Sequence, residues 1–303
     1  MDYDSLIIIG PTASGKTDIS IRLAHKLDSQ IVNADSMYIY KNFDIGTAKP
    51  TNQEMQNIKH YLIDFVDPKV YYSVANFRED AKKVLDDLQS KNIFPIVVGG
   101  TGFYIDSLLN NYSYGGNQDQ KLRHELEQEL TYKGKEYLFE KLEKLDPITS
   151  KKLHPNDTKR VLRAIEICLT TKSRKSDIQN DNDIILKNPL IIGLDIPRQQ
   201  LYDRINLRVD NMLKNGLLDE VKSLVKLGYT PDNSNAMKGI GYKELFSYLN
   251  GDITYDEAVL KIKQHTRNYA KRQITWFKRN NNIVWLNPLS NDCINKILEL
   301  LGK

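Results

Sequence analysis

Cysteine is almost absent: Cys168 and Cys293 are the two in a chain of 303 residues. A disulfide framework and a cysteine-rich zinc site are thereby excluded, and a reducing compartment fits. No apolar run approaches the ~18 residues of a membrane span. The start, Met1-Asp2-Tyr3-Asp4 and then a short apolar run at 6–9, lacks the basic flank and length of a secretory signal. A cytoplasmic protein without a membrane partner is expected. Sixteen glycines and ten prolines are too few for a collagen-like or low-complexity chain. One further absence is local. No Asp or Glu occurs from 258 to 290, a stretch that carries Lys261, Lys263, Arg267, Lys271, Arg272, Lys278 and Arg279. The whole-chain excess of 43 − 39 = +4 conceals it.

What is present reads as α/β. Apolar residues make up 40% and charged residues 27%, and the length suggests roughly two domains. Strand-like runs occur at 6–9, 31–32, 93–98, 189–194 and 283–286, with helical periodicity at 16–27 and 75–89. Their alternation predicts a parallel sheet with crossover helices. At 110–117 the Asn- and Gly-rich composition predicts a hinge. From 118 to 175 only helical periodicity appears, and 172–183 is polar. After 201 the chain reads as mostly helical, with a final helix from 291. The expected fold is an α/β, P-loop NTPase-like parallel-sheet core flanked by helices (1–114 and 187–303) with an all-helical insertion at 115–186.

Gly10-Pro11-Thr12-Ala13-Ser14-Gly15-Lys16-Thr17 matches G-x-x-x-x-G-K-[ST] between a strand-like and a helical run. In that context backbone N–H groups and a helix N-terminus wrap a phosphate chain. Lys16 adds a point charge, and the Thr17 hydroxyl can hold Mg²⁺. The motif establishes a phosphate chain, not ATP. The acid that a P-loop hydrolase places after a second strand is not at 93–98, which runs into Gly99-Gly100; Asp195 is a candidate substitute.

Asp35-Ser36 closes the second strand, on the rim where such sheets bind ligands. A carboxylate there can hold Mg²⁺, orient a nucleophile, accept its proton, or cap a turn. The loop Asp44-Ile45-Gly46-Thr47-Ala48-Lys49-Pro50 can cover the same rim or be plain surface. In Gly99-Gly100-Thr101-Gly102 the glycines imply close backbone approach or a tight turn, and Thr101 can donate to a phosphoryl oxygen. Lys263, Arg267 and Lys271 recur every four residues with Tyr269 and Trp276 nearby. That suits a nucleic-acid backbone or a solvated face. Arg160 with Arg163, and Arg204 with Arg208, share helix faces and can clamp phosphate or form ordinary ion pairs. Asn156 or Asp157 is expected to cap the helix that carries Arg160.

These residues resemble, in order and over almost the whole chain, the bacterial-type tRNA dimethylallyltransferase (tRNA isopentenyltransferase) family. The matching segments are the 10–17 motif, Asp35-Ser36-Met37-Tyr38-Ile39-Tyr40, the 44–50 loop, Gly99-Gly100-Thr101-Gly102-Phe103-Tyr104, His154-Pro155-Asn156-Asp157 through Arg163, Gly239-Ile240-Gly241-Tyr242-Lys243-Glu244, and Thr266-Arg267 through Phe277. Tyr38 stands where many members carry Gln, and Phe103 where many carry Leu. No zinc-finger segment follows the last motif, unlike in eukaryotic relatives.

The resemblance implies transfer of a dimethylallyl group from dimethylallyl diphosphate to the exocyclic amine of the adenosine 3′ to the anticodon, assisted by Mg²⁺. It implies that the 10–17 loop grips the diphosphate and that Asp35, Thr101 and Arg208 are catalytic. It implies tRNA contact by Asp35-Ser36-Met37-Tyr38, Thr101, Arg123, Lys159-Arg160-Val161-Leu162-Arg163, Lys238-Gly239-Ile240-Gly241-Tyr242-Lys243 and Lys271-Arg272-Gln273-Ile274-Thr275-Trp276-Phe277-Lys278. The insertion would grip the anticodon stem-loop, the target base would be flipped out, and the chain would act as a monomer. A P-loop small-molecule kinase is the alternative, but it leaves the basic stretch without a task. So does a prenyltransferase acting on free adenylate. A non-catalytic RNA-binding module leaves Asp35 and Thr101 idle.

Overall fold

Every residue of Ser5–Ile9 (β1) is buried, as a strand covered on both faces requires. The computed structural model describes residues 3–111, 119–178 and 183–303. The expected hinge at 110–117 falls largely outside these, as does 179–182 of the polar stretch. After β1 come α1 (Lys16–Leu27), β2 (Gln30–Asn33), α2 (Asn52–Met55), β3 (His60–Tyr61), α3 (Val74–Ser90), β4 (Pro95–Gly99) and α4 (Gly102–Leu109). A helical stretch follows: α5 (Gln120–Leu145), α6 (Pro147–Ser150) and α7 (Thr158–Thr171). The chain then returns through β5 (Pro189–Leu194), α8 (Arg198–Lys214), α9 (Leu217–Lys226), α10 (Tyr242–Leu249), α11 (Tyr255–Phe277), β6 (Val284–Leu286) and α12 (Cys293–Leu300). No described helix is long and apolar enough to cross a membrane.

The strands form one six-stranded sheet in the order β3-β2-β4-β1-β5-β6, with every pairing parallel. Ile8 sits opposite Val98 on one side and Ile192 on the other. Alternation along β1 sends Leu6 and Ile8 to one face, against Ile19 and Leu23 of α1 and Ile294 and Ile297 of α12. Ile7 and Ile9 face the other way, against Phe77 and Leu85 of α3 and Leu108 of α4. A third apolar cluster joins Phe43, Val209, Leu217, Tyr242 and Ile262, which ties the segment after β2 to α8–α11. The carboxyl ends of β1, β2 and β4 therefore open on one rim, as expected.

Sequence periodicity placed these strands and long helices within a few residues. It missed β3, whose two residues carry no apolar run, and it ended β2 at Asp35 where the ladder stops at Asn33. Asn33 ends the strand itself: its Oδ1 accepts the Asp35 N–H, and its Nδ2 donates to the Asp35 and Leu62 carbonyls. Capping boxes at Ser73/Asn76 and Thr254/Glu257 start α3 and α11.

The chain divides into two compact units, 1–109 with 185–303, and 110–184. The second is helical and has its own core of Leu126, Leu138, Leu142, Val161, Leu162 and Ile165. Its long helix kinks at Gly134, which adopts φ 84°. Asp157 occupies the position before α7, but its carboxylate pairs with Arg160 at 3.2 Å and makes no side-chain cap; Asn156 accepts from Lys135.

Candidate active site

The loop from β1 into α1 is shaped by Gly15, whose φ of 90° lets the chain turn sharply into the helix. Lys16 Nζ donates to the Gly10 and Pro11 carbonyls at 3.0 and 2.8 Å, so the ammonium lies along the loop's own backbone. Desolvation lowers its pKa to about 8; the Asp35 charge opposes the shift and Arg208 adds to it. Ser14 Oγ is buried with no hydrogen-bond partner among the described residues. An orphaned hydroxyl in an amide-lined loop has the chemistry to meet a phosphoryl oxygen.

Residues 12–17 line a cavity of about 1120 Å³, together with Asp35, Ser36, Met37 and Tyr38, the 44–51 segment, Arg204, Arg208, Lys238, Ile240, Lys243, Tyr269 and Arg272. Asp35 Oδ1 accepts the Met37 N–H at 2.9 Å, which holds the carboxylate on the turn. Thr101 sits behind this turn. Its hydroxyl accepts the Ser36 N–H and donates to Ser36 Oγ. Burial, then the Asp35 charge, pushes the pKa of the Tyr269 phenol up, and the neighbouring Thr101, Arg272 and Gln273 oppose the shift. Arg208 donates to the Thr47 carbonyl at 3.4 Å and lies close enough to Tyr38 to oppose the rise that burial gives its phenol pKa, while Arg204 Nε donates to the Ala13 carbonyl at 2.9 Å.

The 44–50 loop is anchored by a residue that sequence patterning did not single out. Glu220, on α9, accepts the N–H groups of Asp44, Ile45 and Gly46 and the Tyr242 hydroxyl. A Cβ on Gly46 would lie 2.5 Å from the Tyr242 ring, so this approach needs glycine. Lys49 is enclosed between Asp44 and Asp64 at 2.6 and 2.7 Å.

The sequence model of the family described as IPP transferase matches residues 38–280. The chain belongs to the IPP transferase family. A tRNA dimethylallyltransferase of Acetivibrio thermocellus is 50% identical, with 98% of this chain and 95% of that one covered. One from Clostridioides difficile is 46% identical over 92% and 90%. The crystal structure of the tRNA isopentenylpyrophosphate transferase of Bacillus halodurans matches with a TM-score of 0.73 at 38% identity, covering 99% and 96%. A eukaryotic dimethylallyltransferase acting on tRNA matches with a TM-score of 0.83 at 31% identity, covering 98% and 77%. The fold of this IPP transferase is accordingly P-loop NTPase-like.

Transferases that use prenyl diphosphates generally need a divalent metal. Thr17 and Asp35 offer hard oxygen ligands on the same cavity wall, alongside the orphaned Ser14 hydroxyl. That set fits a cation held jointly with a phosphate chain, the usual mode for Mg²⁺, and not an all-protein cage. Asp195, the candidate substitute acid, lines a different cavity with Arg198, Lys271, Lys278 and Trp285.

The segments expected to face tRNA divide by burial. Lys159, Arg160, Lys238, Lys243, Lys271, Arg272, Thr275 and Lys278 are exposed. Val161 and Leu162 belong to the helical unit's core and Phe277 packs under the sheet, so their side chains are structural. Ile274 packs against Leu201 and Ile205. Tyr242 is fully buried on Glu220. Trp276 donates to Asp106, and its indole lies where a Cβ on Gly102 would stand. Gly239 and Gly241 shape the turn into α10, Gly241 at φ 98°. Arg123 and Arg163 both turn to the buried Glu166, at 3.9 and 3.1 Å. The expected cationic row also divides: Lys263 pairs with Asp210 and Arg267 with Asn206, both on α8.

Proposed function

We propose that this IPP transferase moves a dimethylallyl group from dimethylallyl diphosphate to the exocyclic amine of the adenosine 3′ to the anticodon of tRNA. The products are diphosphate and tRNA carrying isopentenyladenosine at that position. One observation carries the reading: a single cavity is lined by the phosphate loop, by Asp35, and by the basic residues Lys238, Lys243 and Arg272. A small-molecule kinase has no use for that third wall.

The amine nitrogen forms a bond to the allylic carbon as the carbon–oxygen bond breaks, and the electron pair leaves with the diphosphate. Backbone N–H groups of 15–17, Lys16 and Arg208 stabilise the charge that develops there. Thr17 would hold Mg²⁺ jointly with the diphosphate, and the ion would supply further neutralisation of the leaving group. Adenine's amine is a weak nucleophile because its lone pair is delocalised, so alignment supplies much of the rate. Asp35 orients the amine and takes its proton, while Thr101 holds Ser36 and with it the Asp35 turn. A loop base is cheap to extrude from its stack. Lys159 and Arg160, two of the exposed cations of the helical unit, contact the anticodon stem-loop. We read the chain as acting as a monomer in the cytoplasm.

Incubation with Mg²⁺, dimethylallyl diphosphate and unmodified tRNA, followed by mass analysis of the nucleosides, tests this. A prenylated adenosine is expected, and Asp35→Ala should lower turnover by about 100-fold or more with tRNA affinity retained. ATP turnover without RNA, and no prenylated product, would overturn it.

A further inference from the structure

Gln273 lies between the exposed Arg272 and the half-buried Ile274 on α11, yet it is only 5% exposed itself. Its two amide ends are both used. Oε1 accepts the Thr12 N–H at 2.9 Å, and Nε2 donates to the Gly100 carbonyl at 2.8 Å. A Cβ on Gly100 would stand 2.2 Å from Nε2, so glycine is what lets the amide in. Thr12 opens the phosphate-loop wall of the cavity. Gly100 precedes Thr101, which pins Ser36 beside Asp35. One buried amide therefore ties the loop proposed to hold the leaving group to the turn proposed to present the nucleophile.

We propose that Gln273 is a positioning residue for the transfer, holding the phosphate loop in register with the Asp35–Thr101 side of the cavity, and that it does not read RNA as its place in the 271–278 segment implies. The inference rests on the reading of 10–17 as a diphosphate cradle. Its two partners are a donor and an acceptor, so the side chain must supply one acceptor and one donor at a fixed span. Glutamate cannot donate to the Gly100 carbonyl, and its charge repels that oxygen. Asparagine falls one methylene short. A buried amide or carbonyl left unpaired is costly, and a small displacement between reacting groups lowers the rate steeply.

Gln273→Glu and Gln273→Asn test the inference in the full chain, with inorganic diphosphate binding by calorimetry, unmodified tRNA binding by filter retention, and thermal melting measured side by side. The expected result is a diphosphate affinity lowered about ten- to 100-fold, with tRNA affinity and a cooperative melt retained. Steady-state rates should show a raised KM for dimethylallyl diphosphate and a lowered kcat. Should Gln273→Glu fail to fold, Gly100→Ala displaces the same amide from the other side and should give the same split. Lost tRNA affinity with unchanged diphosphate binding would overturn the proposal, as would no change in either or an equal loss of both. If the unsubstituted protein binds no diphosphate, the reading of the loop fails; if it binds and the variants bind equally, only the role of Gln273 fails.

Discussion

At the scale of single residues, Lys16 meets two opposed demands. The loop needs its charge, and the surroundings that hold it remove water from that charge. Its pKa of about 8 lies below the unfolded value of 10.5. Between those two values the unfolded chain binds the extra proton, so ligand-free stability rises with pH across that window. Below pH 8 the buried charge costs stability in full. Diphosphate affinity runs the other way and should fall as pH rises past about 8, because the neutral amine no longer attracts the anion. Calorimetric titration with inorganic diphosphate from about pH 7 to about pH 10, alongside Lys16→Arg, checks this. The break should vanish in the arginine variant. Burial pushes the Tyr38 and Tyr269 phenols upward, away from the break, and the loss of the break in the arginine variant assigns it to Lys16.

At the scale of elements, α7 is amphipathic in an uncommon way: its inner face carries a carboxylate. Glu166 is fully buried, accepts the Asp119 N–H at 2.9 Å, and draws in Arg163 and Arg123. Removal of one partner from a buried ionic group is destabilising by about 3–5 kcal/mol. Glu166→Ala should therefore loosen α5 against α7 and give the helical unit a separate, earlier unfolding transition, read by calorimetry. The sheet unit should still bind inorganic diphosphate. Sequence reading put Arg160 and Arg163 on one face and left phosphate or ordinary ion pairs open. Glu166 escaped it, because a charged residue within a helical pattern gives no hint of being fully buried.

The same element-scale logic applies to α11. Its four-residue cationic spacing was visible, but the partner of each cation was not. Lys263 and Arg267 are spent on α8, while Lys271 and Arg272 remain exposed.

At the scale of the whole molecule, that division predicts how binding responds to salt. Each phosphate neutralised by a cation adds about 0.9 to the slope of log affinity against log salt for duplexes and ~0.7 for single strands. Replacement of Lys271 and Arg272 by Ala should weaken tRNA binding and flatten that slope. Replacement of Lys263 and Arg267 should lower stability and leave the slope unchanged. Filter binding across a salt series separates the two, and equal slopes in all three proteins would remove Lys271 and Arg272 from the RNA-facing surface.

The glycine-lysine turn between a strand and a helix, and the parallel sheet, were legible in the sequence because each is a local matter. A strand, a glycine-lysine turn and a helix are written within a few consecutive residues, and burial on both faces leaves an unbroken apolar run. Tertiary structure alone decided which residues act on the site from far along the chain. Gln273 meets Thr12 across 261 positions, and Glu220 meets Ile45 across 175. Such pairs leave no periodic trace in the sequence, because a hydrogen bond depends on where two groups come to rest and not on how far apart they are along the chain.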